Sequence, residues 1–195
     1  MHGNEPAGTM AVPTLLDELR RKKISEDWHI RIITPVNPVG LEYQSRYNED
    51  GCDINRDFSS FRTLEAQMQG EVVSNFKPNL IISFHEGPHD GFFMFTTSDV
   101  SHALEEAVLN KLQEHNVSLA EKSFFGLPLS KKGLWHEGAI TSGMKKLLGV
   151  HTLGRYGQDQ GIGVITTESS WINANLKERV QPHTWVIKAV LENYH

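Results

Sequence analysis

Cysteine is nearly absent from this chain. Cys52 stands alone, so neither an internal disulfide framework nor a cysteine cage around a metal can form. Long apolar runs are also missing: none approaches the roughly 20 residues that span a bilayer, so a soluble protein is expected. No secretory leader is visible, which favours the cytoplasm unless the N-terminus has been trimmed. Excess positive charge is lacking, with a formal net charge of −5 and a pI of about 6.0. The one basic cluster, Arg20-Arg21-Lys22-Lys23, reads as the solvated end of a helix. Nucleic acid and anionic membranes are therefore poor partners. No repeat, low-complexity tract or linker interrupts the sequence, which implies one domain over residues 1–195.

What is present suits an ordinary core: 38% apolar and 22% charged residues. Pro6 sits where a first helical turn tolerates proline, and Ala7, Met10, Ala11, Leu15 and Leu19 recur at helical spacing, with Pro13 expected to kink the helix. Residues 30–36 are rich in β-branched side chains and run into Asn37-Pro38-Val39-Gly40, a strand delivered into a turn, followed by a polar loop to about Arg62. Helical patterns cover 63–76, 100–121, 139–148 and 176–194. Short apolar runs at 79–84, 92–97 and 163–167 read as strands. This alternation predicts an α/β three-layer sandwich, a mixed, mostly parallel sheet with helices on both faces. Ligands bind such sheets at the carboxyl ends of strands, where His85 and Glu168 fall.

His2-Gly3-Asn4-Glu5 places an imidazole and a carboxylate three residues apart, so one turn can aim both at a single point. Joined by His85, they would make a two-histidine, one-carboxylate metal site with an open fourth position, the ligand set of a hydrolytic zinc. His85-Glu86-Gly87-Pro88-His89 also spells the literal His-Glu-x-x-His pattern. That motif requires a helix, which Gly87 and Pro88 oppose, so Glu86 and His89 are expected in a loop near the metal.

The order His2-x-x-Glu5, Asn37-Pro38, Arg46, Gly51-x-Asp53-x-Asn55-Arg56, His85 and Glu168 resembles the zinc carboxypeptidase family, in the superfamily that also holds the aspartoacylases and succinylglutamate desuccinylases. The resemblance implies one zinc ion held by His2, Glu5 and His85, with Asp53 orienting His2. It implies that Arg46 polarises the scissile carbonyl and that Asn55 and Arg56 hold a substrate carboxylate. Glu168 becomes the general base, and Tyr156 stands where relatives place a tyrosine over the substrate, at a shorter spacing. The implied activity is that of a metallocarboxypeptidase cleaving a C-terminal peptide bond. The alternatives are an N-acyl amino acid amidohydrolase of the aspartoacylase or desuccinylase kind, and an inactive module that binds carboxylates. Glu86-Gly87 after the third ligand favours peptides over N-acyl amino acids, and Glu168 speaks against the inactive module. In all three the partner is a small substrate with a free carboxylate. Residues 123–161 are expected to build the specificity pocket, where Arg155 or Lys131 could read an acidic side chain or simply face solvent. Relatives carry a strand before the first ligand. The chain looks short at its N-terminus by comparison, and His2 is expected on a fraying end.

Overall fold

The computed structural model describes residues 1–21, 28–123, 126–136 and 151–194. The expected helix at 139–148 lies outside them. Among the described residues a four-stranded sheet has the order β1 (Leu80–Gly87), β4 (Gly163–Ser170), β2 (Phe93–Thr96), β3 (Leu134–His136). β1 runs parallel to β4 and β2 parallel to β3, while β2 and β4 are antiparallel. The α/β class with a mixed sheet is thus as expected.

Helices α1 (Ala7–Arg21), α4 (His102–Glu114) and α6 (Leu176–Asn193) pack on one face of the sheet. Their shared core includes Met94, Leu104, Val108, Leu112, Ile165 and Val186, each contributing about 1.5–3 kcal/mol by burial. α5 (Leu153–Asp159) covers the other face, where Gly157 lies against Val164 and Ile81. Alternation along β4 therefore turns Val164, Thr166 and Glu168 toward the α5 side, and Ile165, Thr167 and Ser169 toward α6. His183 of α6 shows this directly, bonding Thr167 Oγ1 at 2.8 Å and Ser169 Oγ at 3.1 Å.

Local chemistry sets the helix ends. α3 (Leu64–Phe76) begins where Thr63 Oγ1 accepts from the Ala66 amide, and α4 where Ser101 does the same for Leu104. The helix predicted over 100–121 stops at Glu114 because Asn116 adopts a left-handed conformation, φ 56°. Val117 and Asn116 then return their amides to the Leu112 and Gln113 carbonyls. α1 continues through Pro13.

Three expectations are corrected. Residues 30–36 form no strand: they run past the outer edge of β1, but a groove of about 1220 Å³ separates the two, leaving Ile30, Ile32 and Ile33 exposed. Asn37-Pro38-Val39-Gly40 opens a short helix, α2 (Pro38–Glu42), because the Asn37 side chain accepts from the Gly40 amide at 2.8 Å and Pro38 takes the first helical position. The polar loop that follows contains a 3-10 turn, Ile54–Arg56, capped by Asp53. No helix among the described residues is long and apolar enough to cross a membrane.

Candidate metal centre

His2 and Glu5 occupy the turn that opens α1, with the Glu5 amide bonded to the His2 carbonyl at 3.2 Å. This turn presses onto α2. A Cβ on Gly3 would lie 1.8 Å from the Gly40 carbonyl carbon, so only glycine fits, and the Gly3 amide donates to Ser45 O at 2.8 Å. The expected fraying end does not occur: His2 is 5% exposed, pinned by these contacts and by two carboxylates.

The Glu5 carboxylate stands between two imidazoles. Oε1 is 2.7 Å from His2 Nδ1 and Oε2 is 2.8 Å from His85 Nδ1, with the two rings 5.1 Å apart. Candidate ligand atoms of His2, Glu5 and His85 all lie within 4.8 Å of one another. All three side chains are buried. The donor set fits zinc: two imidazole nitrogens and one carboxylate oxygen, in a space no cysteine reaches. Burial pushes the Glu5 carboxyl up, but His85 and the hydrogen bonds from both histidines outweigh it and hold the group well below the usual carboxylate range. His85 is lowered as well, by burial against the pull of Glu5.

Asp53 braces His2 from behind. Its Oδ1 is 3.0 Å from His2 Nε2, while Oδ2 accepts from Arg46 Nε at 3.0 Å and Nη2 at 2.8 Å. Burial alone would raise the Asp53 carboxyl, but His2 and Arg46 hold it far below its ordinary value. Arg46 Nη1 also approaches His2 Nδ1 at 3.3 Å and Glu5 Oε1 at 3.6 Å. The guanidinium thus borders the cluster, one third exposed.

Glu168 reaches the site through strand register. Parallel pairing sets His85 beside Glu168, so both side chains rise from the same face at the carboxyl ends of β1 and β4. Its carboxyl is pushed well above the usual range by burial and by Glu5, with Arg46 working against and Glu86 adding to the rise. A Cβ on Gly87 would stand 3.0 Å from His89 Nε2 and 3.5 Å from Glu168 Oε2, so these two side chains crowd over a position that only glycine leaves open.

The remaining predicted residues divide. Arg56 is exposed, its Nη1 bonded to Asn55 O at 2.9 Å, while Asn55 Oδ1 accepts the Leu153 amide at 3.1 Å and ties this turn to the start of α5. Tyr156 packs its ring against Phe61 at 5.3 Å and Phe58 at 6.0 Å, an aromatic cluster rather than a contact with the metal ligands. Arg155 forks onto Asp159 and Lys131 pairs with Glu106, so both candidates for reading an acidic side chain are engaged on the protein itself.

His85-Glu86-Gly87-Pro88-His89 forms no helix, as expected. Glu86 is not in a loop, however; it belongs to β1 and is 2% exposed. Alternation turns it away from His85, where it accepts from the Ala7 amide at 2.8 Å and Arg179 Nε at 2.7 Å. Sequence reasoning missed this tie between α1, β1 and α6. Strand alternation could have turned Glu86 to the opposite face, but nothing in the sequence pairs it with Arg179.

The catalytic-domain model of succinylglutamate desuccinylase/aspartoacylase matches residues 1–69, the stretch holding His2, Glu5, Arg46, Asp53, Asn55 and Arg56. Carboxypeptidase 2 of Trichophyton rubrum is 30% identical over 159 residues, which is 73% of this chain and 29% of that protein. Over these stretches the chain is similar to the superfamily of zinc carboxypeptidases and succinylglutamate desuccinylase/aspartoacylase enzymes. That superfamily consists of hydrolases of amide and peptide bonds. Two solved structures are similar in fold. A candidate metallopeptidase of Shewanella denitrificans superposes with a TM-score of 0.77 at 17% identity, over 96% of this chain and 70% of that one. A metallo-carboxypeptidase of Burkholderia cenocepacia gives 0.64 at 15% identity, over 98% of this chain and 54% of that one. At these identities the likeness is one of fold. The chain spans less than a third of the length of the Trichophyton relative.

Proposed function

We propose that the protein is a zinc-dependent metallocarboxypeptidase, one zinc ion held by His2, Glu5 and His85, that hydrolyses the C-terminal peptide bond of a substrate with a free carboxylate. The observation that carries this reading is the meeting of those three donors beside Glu168. A zinc ion held by these residues would supply an acidified water and Lewis-acid polarisation of the substrate carbonyl. Glu168 takes the proton from that water and delivers it to the leaving amine. Burial and the neighbouring Glu5 move its carboxyl above the usual range, the direction in which acid–base groups are tuned for work near neutral pH. Arg46, at the rim of the cluster, stabilises the developing oxyanion. Asp53 holds His2 in one ring orientation, so His2 presents Nδ1 inward. Arg56, exposed and permanently charged, grips the substrate carboxylate beside Asn55.

A second reading has a specific observation in its favour: the family model over residues 1–69 is that of the desuccinylase/aspartoacylase catalytic domain. The same donors and the same carboxylate clamp would serve an N-acyl amino acid. Turnover of a dipeptide library beside N-acetyl and N-succinyl amino acids separates the two. Release of C-terminal residues from peptides is expected; activity confined to N-acyl amino acids sinks the first reading in favour of the second.

A further inference from the structure

Diagonally across the sheet from the cluster just described, the same donor geometry occurs again. His102 and Glu105 stand three apart on the first turn of α4, and His136 ends β3. Glu105 offers one oxygen to each imidazole: Oε2 lies 2.8 Å from His102 Nδ1 and Oε1 lies 2.6 Å from His136 Nδ1. The two rings are 4.8 Å apart, and candidate ligand atoms of the three residues fall within 4.8 Å of one another. At the first cluster Glu5 bridges two Nδ1 atoms at 2.7 and 2.8 Å, so the second differs from it by no more than about 0.2 Å.

The two groups are separate sites. His85 and Glu168 lie at the carboxyl ends of β1 and β4, whereas Thr96 and His136 are paired at the carboxyl ends of β2 and β3. Because β2 runs against β4, those ends point in the opposite direction. The order β1-β4-β2-β3 also puts β1 and β3 on opposite margins of the sheet.

The geometry points to a second metal site, in which His102, Glu105 and His136 hold a divalent transition ion, zinc by donor type, that clamps α4 to the end of β3. Imidazole nitrogens select zinc and its neighbours over magnesium or calcium, which favour oxygen shells. Glu105 is prepared for the task. Its side chain is 3% exposed, and Thr96 Oγ1 donates to the same oxygen that faces His136, fixing the carboxylate as supporting bonds fix metal ligands elsewhere. Zinc–ligand bonds of about 2.0–2.2 Å at tetrahedral angles put neighbouring donors roughly 3.3 Å apart. An opening of about half an ångström on each side of Glu105 reaches that spacing, and the His102 side chain, 80% exposed, is free to make it. Anchored on three donors, β3 gains a tie that its three residues of pairing to β2 do not supply.

The test counts zinc. Metal-stripped protein is reloaded with zinc, dialysed, and its metal measured by mass spectrometry alongside hydrolytic activity. Two ions per chain are expected in the wild type, one in His102→Ala with kcat unchanged, and one in His85→Ala with activity lost. His102→Ala removes an exposed side chain, so the fold survives, which an unchanged melting temperature of the metal-free protein verifies. His136→Ala gives a second, independent loss of one ion. Equal zinc content in the wild type, His102→Ala and His136→Ala overturns the proposal, whatever His85→Ala does. Loss of zinc in the His102 and His136 variants, with none lost in His85→Ala, upholds it while refuting the catalytic assignment.

Discussion

At the residue scale, two buried carboxylates at one centre are held in opposite states. Glu5 is buried where an isolated charge would be prohibitive, and it stays ionised because two imidazoles face it. Glu168 is buried beside the negative charge of Glu5 instead, so its proton is held more tightly. That contrast fits the ligand and acid–base roles proposed for them. Replacing Glu168 by glutamine is expected to reduce kcat about 10²- to 10⁴-fold while zinc content stays at the wild-type level, read by metal analysis beside initial rates. Arg56→Ala acts on binding. Losing a charge-assisted pair of about 1.5–3 kcal/mol is expected to raise KM roughly tenfold to a hundredfold for substrates with a free carboxylate, and to leave their C-terminal amides unaffected. Asp53→Asn weakens the orientation of His2, and zinc affinity, followed by competition with a chelator, is expected to fall about 10- to 100-fold.

At the element scale, the site exists because three short segments are pressed together. The His2–Glu5 turn, α2 and the turn Ile54–Arg56 bring ligand and support into register, and Gly3 is the point of closest approach. Gly3→Ala would drive a methyl into the Gly40 carbonyl. The expected cost exceeds the usual 1–3 kcal/mol of overpacking, because backbone atoms cannot rotate away. A lowered melting temperature together with lost zinc is the predicted result, and a fully loaded variant with an unchanged transition would contradict it. Local chemistry gave many of these elements away: Pro6 and Thr63 mark helix starts, and the apolar runs before His85 and Glu168 mark β1 and β4. Residues 30–36 have strand composition without a strand's partner, a failure of pairing that no local pattern records. β3 and α5 were unreadable for the opposite reason. Three residues and a glycine-rich turn carry too little periodicity, and both elements are made by what they pack against.

At the scale of the whole molecule, the helix layer and the catalytic face share β4. His183, fully buried between Thr167 and Ser169, is the clearest sign of that layer. Burial, and next His85, depress its pKa from 6.5 to about 3. The unfolded chain therefore binds a proton near pH 6.5 that the folded protein refuses until about pH 3. Stability from the neutral ring is complete above the first value and falls as pH drops toward the second, by at most about 5 kcal/mol. Urea midpoints between pH 7.5 and 4 should decline more steeply in the wild type than in His183→Gln, which keeps a donor and an acceptor but cannot charge. Parallel slopes would mean that other groups govern the acid response.

The sequence by itself determined the chemistry available to this protein. One cysteine removed the cage; His2, Glu5, His85 and Glu168 supplied donors and a base at positions where turns and strand ends would present them; the spacing of the Asp53-x-Asn55-Arg56 segment supplied their supports. Only the tertiary structure decided which donors meet. Glu5 and His85 lie 80 residues apart, and the pairing of β1 with β4 brings His85 beside Glu168 across a similar gap. Such distances are closed by packing, since no local pattern reaches so far along the chain. The same holds for His102, Glu105 and His136, whose likeness to the first cluster depends on where β3 ends relative to α4, and for Glu86, which alternation turns away from His85 and toward Arg179.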